Sequence, residues 1–127
     1  MNDHMGKLVL RLALGIIVIM HGIAKMTGGI DFITSTVTGA GLPPFLAYGV
    51  YVGEVLAPLL LIMGWFARIG AAVIAVNMLF AIFLVHGAEI SALNQGGGWA
   101  IELQAMFLFS AVALVLLGPG RYSVNDR

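Results

Sequence analysis

Five ionisable side chains interrupt the long apolar stretches of this sequence, and their types and spacing could do chemistry. His21 and Lys25 are four residues apart in the first stretch, so both lie on one face of a helix. Glu54 lies within the second stretch, His86 ends the third, and Glu102 begins the fourth. In a low-dielectric environment, a carboxylate beside an imidazole or an ammonium group can transfer protons or bind a polar ligand. These five residues are therefore candidates for a binding site.

Glu54 is expected to be the centre of this site, because it lies deepest in its apolar stretch. The same stretch contains Pro58, which cannot donate a backbone hydrogen bond and so frees a carbonyl one turn upstream. Tyr51, one turn before Glu54, adds a hydroxyl group on the same face. We expect Lys25 and His21 to reach Glu54 from the first stretch, with His21 donating a hydrogen bond to the carboxylate.

Other polar residues in these stretches have ordinary structural explanations. An interhelical polar contact contributes about 0.6–2 kcal/mol in a membrane, and Asn77 is interpreted as such a contact. Arg11 and Arg68 are also interpreted as structural groups, and Arg11 is expected to extend its side chain to lipid phosphates. Interfacial hydration explains His86 and Glu102 as well as a functional role does.

One face of the first stretch carries small residues between two cations. Arg11, Gly15, Val18, Gly22 and Lys25 share this face at helical spacing. Glycine allows two helix backbones to approach closely. The spacing therefore predicts that a neighbouring helix packs against Gly15 and Gly22.

The composition indicates that the elements carrying these groups lie in a lipid bilayer. Hydrophobic residues make up 61% of the 127 residues and charged residues 9%, against roughly 45–50% and about 25% in soluble domains. So few charges could not cover a water-facing surface. The length predicts a single domain, 1–127. A net charge of zero gives no reason to expect a nucleic-acid partner, and the absence of cysteine excludes disulfides and cysteine-ligated iron–sulfur clusters.

Hydropathy predicts four transmembrane helices, each close to the ~20 residues that cross a hydrocarbon core. They cover residues 8–26, 45–65, 67–86 and 99–117. The predicted fold is an all-α integral membrane four-helix bundle with up-down-up-down topology, in which spans two and three form a tight antiparallel hairpin. Asp31 indicates the start of a short interfacial or re-entrant helix between spans one and two.

Basic residues predict the orientation of these spans. They are concentrated on one side: Lys7, Arg11, Arg68, Arg121 and Arg127. The other side has Lys25 alone, so both termini are predicted to be cytoplasmic. In this orientation Glu54 lies roughly 13 Å below the outer surface at the helical rise per residue. The ionisable candidates are then expected to meet in the outer half of the bundle.

The order and spacing of these residues resemble the DoxX family of small membrane proteins. The resemblance covers nearly the whole chain, from "RLALGIIVIMHGIAK" through "GLPPFLAYGVYVGEVLAPLLLIMGWFARIGA" to "VLLGPGRYSVND". It includes the candidate residues His21, Lys25, Glu54, His86 and Glu102. The stretch "GGGWAIEL" has Trp99 where a tyrosine is common in the family.

The resemblance implies a multi-pass protein of the bacterial inner membrane with four helices. Some members of the family resemble the small subunit of a thiosulfate:quinone oxidoreductase. Others are linked to detoxification of quinones or catechols, or to a membrane oxidoreductase complex in mycobacteria. The resemblance assigns no catalytic residue.

The preferred hypothesis is a quinone-interacting subunit or accessory protein of a membrane redox or detoxification system. His21, Lys25 and Glu54 would bind the quinone head group and supply a proton route, with Tyr51, His86 and Glu102 as further candidates. The sequence contains no nucleotide-binding fingerprint and no cysteine ligand. Electrons would therefore come from a redox partner protein or from the quinone itself.

Three alternatives stay open. A haem could be ligated by His21 and His86, whereas no other metal site is expected. The chain could be a non-enzymatic scaffold or assembly factor, whose polar cluster only fixes the register of the helices. It could also be a carrier for a small weak acid with Glu54 as the proton site, and a transport path of that kind would require a homodimer.

Overall fold

The computed structural model describes residues 3–28, 31–84, 98 and 101–125, and all of their side chains except those of residues 25–28, 31–33, 50 and 84. Within these ranges all regular secondary structure is helical, which confirms the all-α fold class. The described residues form five helices, numbered here in chain order: α1 (Asp3–Gly28), α2 (Asp31–Gly39), α3 (Pro44–Met63), α4 (Ala67–Leu84) and α5 (Glu102–Leu117).

The helix boundaries agree with the sequence patterns, with one early start. α1 begins five residues before the predicted span 8–26, and Asp3 in its first turn interacts favourably with the positive end of the helix dipole. The short helix predicted between the first two spans is present as α2. Val37 of α2 packs with Ala47 of α3 in a small apolar cluster. The interfacial or re-entrant position of α2 stays a prediction.

α3 is a composite helix. Pro43 has an extended conformation, as a residue before proline prefers, so the helix begins at Pro44. Four segments then follow without interruption: a 3₁₀ segment Pro44–Tyr48, a short α segment Gly49–Tyr51, a π-helix Val52–Leu56 and an α segment Ala57–Met63.

Pro58 accounts for the π-helix. It has no N–H, and its ring collides with the carbonyl of the residue four positions earlier in α geometry, which is Glu54. The backbone avoids this collision by widening, and the Ala57 N–H donates to the Val52 carbonyl five positions back. Glu54 therefore lies in a widened turn, which we call the π segment (Val52–Leu56).

A three-residue turn joins α3 to α4. Gly64 has a left-handed conformation with φ of 71°, which favours glycine. The N–H groups of Gly64 and Trp65 donate to the Leu60 carbonyl at 2.9 and 3.0 Å, so the last turn of α3 is satisfied. Phe66 also has a positive φ of 48°, which is strained for an aromatic residue.

Small residues bring α3 and α4 together in antiparallel register. A Cβ on Gly70 would lie 2.9 Å from the Ala57 carbonyl oxygen, and a Cβ on Gly53 would lie 2.6 Å from the Asn77 Cβ. Since the later residue of α4 faces the earlier residue of α3, the two helices run in opposite directions. The predicted antiparallel hairpin is confirmed.

The glycines of α1 pack against α3, as their spacing predicts. A Cβ on Gly15 would lie 2.8 Å from Ile62 Cγ1 and 3.1 Å from the Pro58 carbonyl oxygen. A Cβ on Gly22 would overlap the Glu54 carbonyl and lie 2.6 Å from its carbon. Only glycine therefore fits at these two positions without a shift of backbone.

The longer helices surround a core that is rich in alanine. α1 contacts α3 and α5, and α4 contacts α3 and α5. The alternating direction of all four remains a prediction. Buried residues from each of them form one cluster: Leu14, Val18, Ala57, Leu61, Ala67, Ala71, Ile74, Ala75, Met78, Phe107, Ala111 and Leu114.

The outer surfaces of these helices are strongly apolar. Large side chains such as Phe83, Phe109 and Leu116 are 66%, 62% and 78% exposed. Such a surface favours lipid over water.

Two of the four predicted spans have the length and hydropathy of membrane-crossing helices, at Asp3–Ala24 and Pro44–Met63. Ala67–Phe83 and Glu102–Leu117 are apolar but shorter. The predicted third and fourth spans extend beyond the described residues and stay predictions.

Candidate functional site

Glu54 is held in the middle of α3 by close contacts on two sides. Its side chain is buried, with 5% of its surface exposed. Gly22 of α1 lies against its carbonyl, the group that Pro58 leaves without an α-helical donor. On the neighbouring residue, Gly53, the Asn77 side chain of α4 takes the space that a Cβ would fill. The π segment is thus fixed between α1 and α4.

His21 lies at the level of this contact, since Gly22 follows it directly. Its Nδ1 donates to the Ile17 carbonyl of the same helix at 2.9 Å. The exposed ring makes an edge-to-face contact with Phe107 of α5, with centroids 5.7 Å apart. Nδ1 is therefore used within α1, so the predicted hydrogen bond from His21 to Glu54 would have to come from Nε2, which is an acceptor in a neutral ring.

The neighbours described for Tyr51 and Glu102 are residues other than Glu54. The Tyr51 ring packs on the α2 side, against the cluster that contains Val37 and Ala47, and its centroid is 6.1 Å from that of Tyr48. The expectation of a shared face came from α-helical spacing, whereas the π segment that follows Tyr51 changes the angle between the two residues.

Glu102 is exposed in the first turn of α5, with its carboxylate against Gly98. A Cβ on Gly98 would lie 3.0 Å from Glu102 Cδ. A carboxylate in the first turn also interacts favourably with the helix dipole.

Two candidates fall outside the described parts of the chain. His86 lies beyond α4, and only the backbone of Lys25 is described. A haem held by His21 and His86 therefore stays a prediction. Within the described residues, no group of three or more His, Cys, Asp or Glu side chains could hold a metal ion.

Among the residues that the structure describes, Asn77 has no polar partner that would explain its position. It is half-buried on α4, and its Oδ1 would lie 3.0 Å from a Cβ on Gly53. Within the described residues, the structure shows no hydrogen bond from its amide to another residue. The polar interhelical contact predicted from the sequence is thus a contact with a glycine backbone.

Arg11 corrects one expectation from the sequence. Its side chain is 0% exposed, so it does not extend to lipid phosphates. Nη1 donates to the Leu61 carbonyl at 3.1 Å and Nη2 to the Tyr122 carbonyl at 2.5 Å, whereas Nε is buried and has no partner among the described residues. The expectation was wrong because α1 begins at Asp3, so that Arg11 lies well inside the helix, and because the end of the chain covers it.

Residues 118–125 form this cover, which we call the carboxyl-terminal strap. The Val124 and Asn125 N–H groups donate to the carbonyls of Met63 and Gly64 at 3.3 and 3.2 Å. The Asn125 side chain accepts the Phe66 N–H at 3.0 Å. The strap therefore ties the α3–α4 turn to α1.

Sequence reasoning missed the strap, although signals for it were present. α5 ends at Leu117, as the predicted span 99–117 does, and the following Gly118 and Gly120 both have φ of 79°. An arginine within an apolar helix needs acceptors, and the "GPGRYS" carbonyls were available. Arg68, exposed on α4, lies against Gly118, where its charge interacts favourably with the carboxyl end of α5.

The described geometry brings together part of the predicted site. It places Glu54 at the contact of α1 with α3, and Asn77 against the neighbouring Gly53. The roles predicted for Tyr51 and Glu102 stay predictions. A buried carboxyl group and an amide within apolar helices can bind the polar head of an otherwise apolar ligand.

Comparisons with known proteins agree with the resemblance. A family model described as DoxX matches residues 6–87, which include Arg11, His21, Glu54 and Asn77. An "Uncharacterized protein" of Haemophilus influenzae is 30% identical over 125 residues, which cover 93% of this chain and 87% of the relative. The "Putative oxidoreductase CatD" of Bacillus subtilis is 32% identical over 116 residues, which cover 89% of this chain and 79% of the relative. No solved structure matches the chain.

Proposed function

The chain belongs to the DoxX family of membrane proteins, and from this premise we propose that it is a quinone-binding subunit or accessory protein of a membrane redox or detoxification system. The observation that carries the proposal is Glu54, a carboxyl group 5% exposed in a π-helix within an apolar bundle of helices. π-Helical turns of this kind occur frequently at functional sites. The printed name of the Bacillus subtilis relative, an oxidoreductase, supports the same class of function.

The chemistry of a quinone suits these surroundings. Its reduction to a quinol takes up two electrons and two protons, and its head group offers carbonyl oxygens that become hydroxyl groups. Glu54 would accept a hydrogen bond from a quinol hydroxyl and carry the proton. The exposed apolar faces of the helices would contact the isoprenoid tail. Since the sequence contains no cysteine and no nucleotide-binding fingerprint, a partner redox protein would exchange the electrons.

The proposal includes a membrane topology. Four helices would cross a bacterial inner membrane up-down-up-down, with both termini in the cytoplasm. Three contacts support this arrangement: Gly22 with Glu54, Gly53 with Asn77, and Arg68 with Gly118. The first two are contacts that antiparallel neighbours would make, and the third brings the carboxyl end of α5 to the start of α4.

Quinol binding to Glu54→Gln tests the proposal. The protein is purified in nanodiscs with its native lipids, extracted for quinone, and titrated with ubiquinol-1. We expect the wild-type protein to contain quinone, and Glu54→Gln to bind ubiquinol-1 about tenfold more weakly, because the charge-assisted hydrogen bond is lost. Glu102→Gln is the matched control, since it changes an exposed carboxylate of α5 in the same way. No quinone in the extract and no affinity for ubiquinol-1 would contradict the proposal.

The alternatives predict other results for the same variant. If the polar groups only fix helix register, Glu54→Gln fails to insert or assemble, and quinol binding is absent from the wild-type protein as well. If the chain carries a weak acid, Glu54→Gln folds normally and loses proton-coupled uptake into vesicles.

A further inference from the structure

The amide of Asn77 lies among apolar residues in the middle of α4. Asn77 is half-buried, and Ile74, three residues earlier on the same helix face, is 0% exposed. An amide carries two N–H donors and one acceptor oxygen. In protein interiors almost all such groups are hydrogen-bonded, and a bilayer offers no water to replace a missing partner. Within the described residues this amide has none, so its position needs another explanation.

An interhelical hydrogen bond does not explain the position of Asn77. A polar residue holds two membrane helices together through a hydrogen bond across their interface. The residue opposite Asn77 is Gly53, which has no side chain to offer one. A Cβ there would lie 2.6 Å from the Asn77 Cβ and 2.7 Å from its Cγ. Gly53 therefore makes room for the amide without binding it.

The space that Gly53 provides lies next to the proposed quinone site. Gly53 and Glu54 are consecutive residues of the π segment, and both are buried. The Asn77 side chain of α4 thus lies against the residue next to Glu54 in the widened turn of α3. The two groups differ in chemistry, because the amide donates hydrogen bonds whereas an ionised carboxylate only accepts them.

We propose that Asn77 donates an amide N–H to a carbonyl oxygen of the quinone head group and determines the selectivity of the site for quinones over plain hydrocarbons. The inference rests on the proposed function and adds a residue to it. Glu54 recognises the hydroxyl groups of the quinol, and Asn77 recognises the carbonyl groups of the quinone.

The test compares two probes with the same ring skeleton, menadione and 2-methylnaphthalene, which lacks the carbonyl groups. Their binding to the protein in nanodiscs is measured by titration, together with the thermal midpoint of unfolding. We expect the wild-type protein to prefer menadione. Asn77→Leu, which has nearly the same size, should reduce that preference about tenfold, as the loss of one hydrogen bond does. Its thermal midpoint should equal or exceed that of the wild type, because an unpaired amide is removed.

Controls separate this inference from the proposed function. Ser110→Ala, a polar-to-apolar change on α5, should leave the preference unchanged. If the wild-type protein does not prefer menadione, the proposed function fails together with the inference. If it does and Asn77→Leu keeps that preference, only the role of Asn77 is overturned, whether or not the midpoint falls. Should Asn77→Leu fail to fold, Asn77→Ala replaces it, since it also removes the amide donor, and the same two outcomes apply.

Discussion

Arg11 and Glu54 are both buried charged residues of this chain, but their surroundings differ. Arg11 is 0% exposed and donates to backbone carbonyls from α3 and from the strap. Glu54 lies in a π-helix, with Gly22 of α1 against its carbonyl and with its neighbour Gly53 against the Asn77 side chain. Around Arg11 backbone carbonyls accept hydrogen bonds from both Nη groups of the side chain. Around Glu54 the backbone forms a π-helix, and Gly22 and Gly53 allow close contacts that a larger residue would prevent. The first arrangement is typical of structure and the second of a binding site.

The largest effect is expected from Gly22→Ala, which acts on the surroundings of Glu54. The new methyl group would overlap the Glu54 carbonyl, so α1 and α3 must move apart. We expect a loss of about 3 kcal/mol in the free energy of unfolding, at the upper end for overpacking. Denaturant titration in mixed micelles measures it.

Gly6→Ala is the matched control for this change. It lies on the same helix with nothing within 4 Å of a Cβ, and it should stabilise α1 slightly. Equal stability of Gly22→Ala and the wild-type protein would show that α1 does not contact the π segment so closely.

The second-largest effect is expected from a substitution of Arg11. Arg11→Met removes two hydrogen bonds from a charged group, and this loss is partly offset because a buried charge is also removed. We expect the free energy of unfolding to fall by about 2 kcal/mol, and amide hydrogen exchange in the strap to accelerate.

Quinone binding by Arg11→Met tests the comparison directly. Folded Arg11→Met protein should prefer menadione as the wild type does, because its change lies at the other end of the helices. Arg121→Met, an exposed change in the strap, is the control. If Arg11→Met lost that preference and Glu54→Gln had no effect on quinol binding, the assignment of structure and function to the two residues would have to be exchanged.

The sequence could predict what depends on local spacing. The seven-residue separation of Gly15 and Gly22 predicts the contact of α1 with α3, because helical periodicity puts both on one face. Gly64 favours a turn between α3 and α4, because glycine readily adopts the left-handed conformation that it has there. Pro58 was recognised as the residue that frees a carbonyl, although the resulting π segment was not predicted, because a proline within a helix has several structural outcomes.

Contacts between distant parts of the chain were not predictable in this way. The acceptor of Arg11 on Tyr122 is 111 residues away in the sequence, and no periodicity connects the two. The side-chain direction of Tyr51 depends on the π segment, and the lack of a polar partner for Asn77 depends on which residue of α3 faces it. These features depend on tertiary contacts, which local sequence patterns do not specify.

The smallest effect is expected at the strap, where the comparison can be sharpened further. Asn125→Ala removes the acceptor of the Phe66 N–H, whose residue has a positive φ and depends on its surroundings for that conformation. We expect a loss of about 1 kcal/mol in the free energy of unfolding, typical of one hydrogen bond. Val124→Ala, which shortens a side chain that is 69% exposed, is the control. Because the strap is separate from the π segment, both variants should keep the menadione preference, and a change in Asn125→Ala would show that the two regions are coupled through α3.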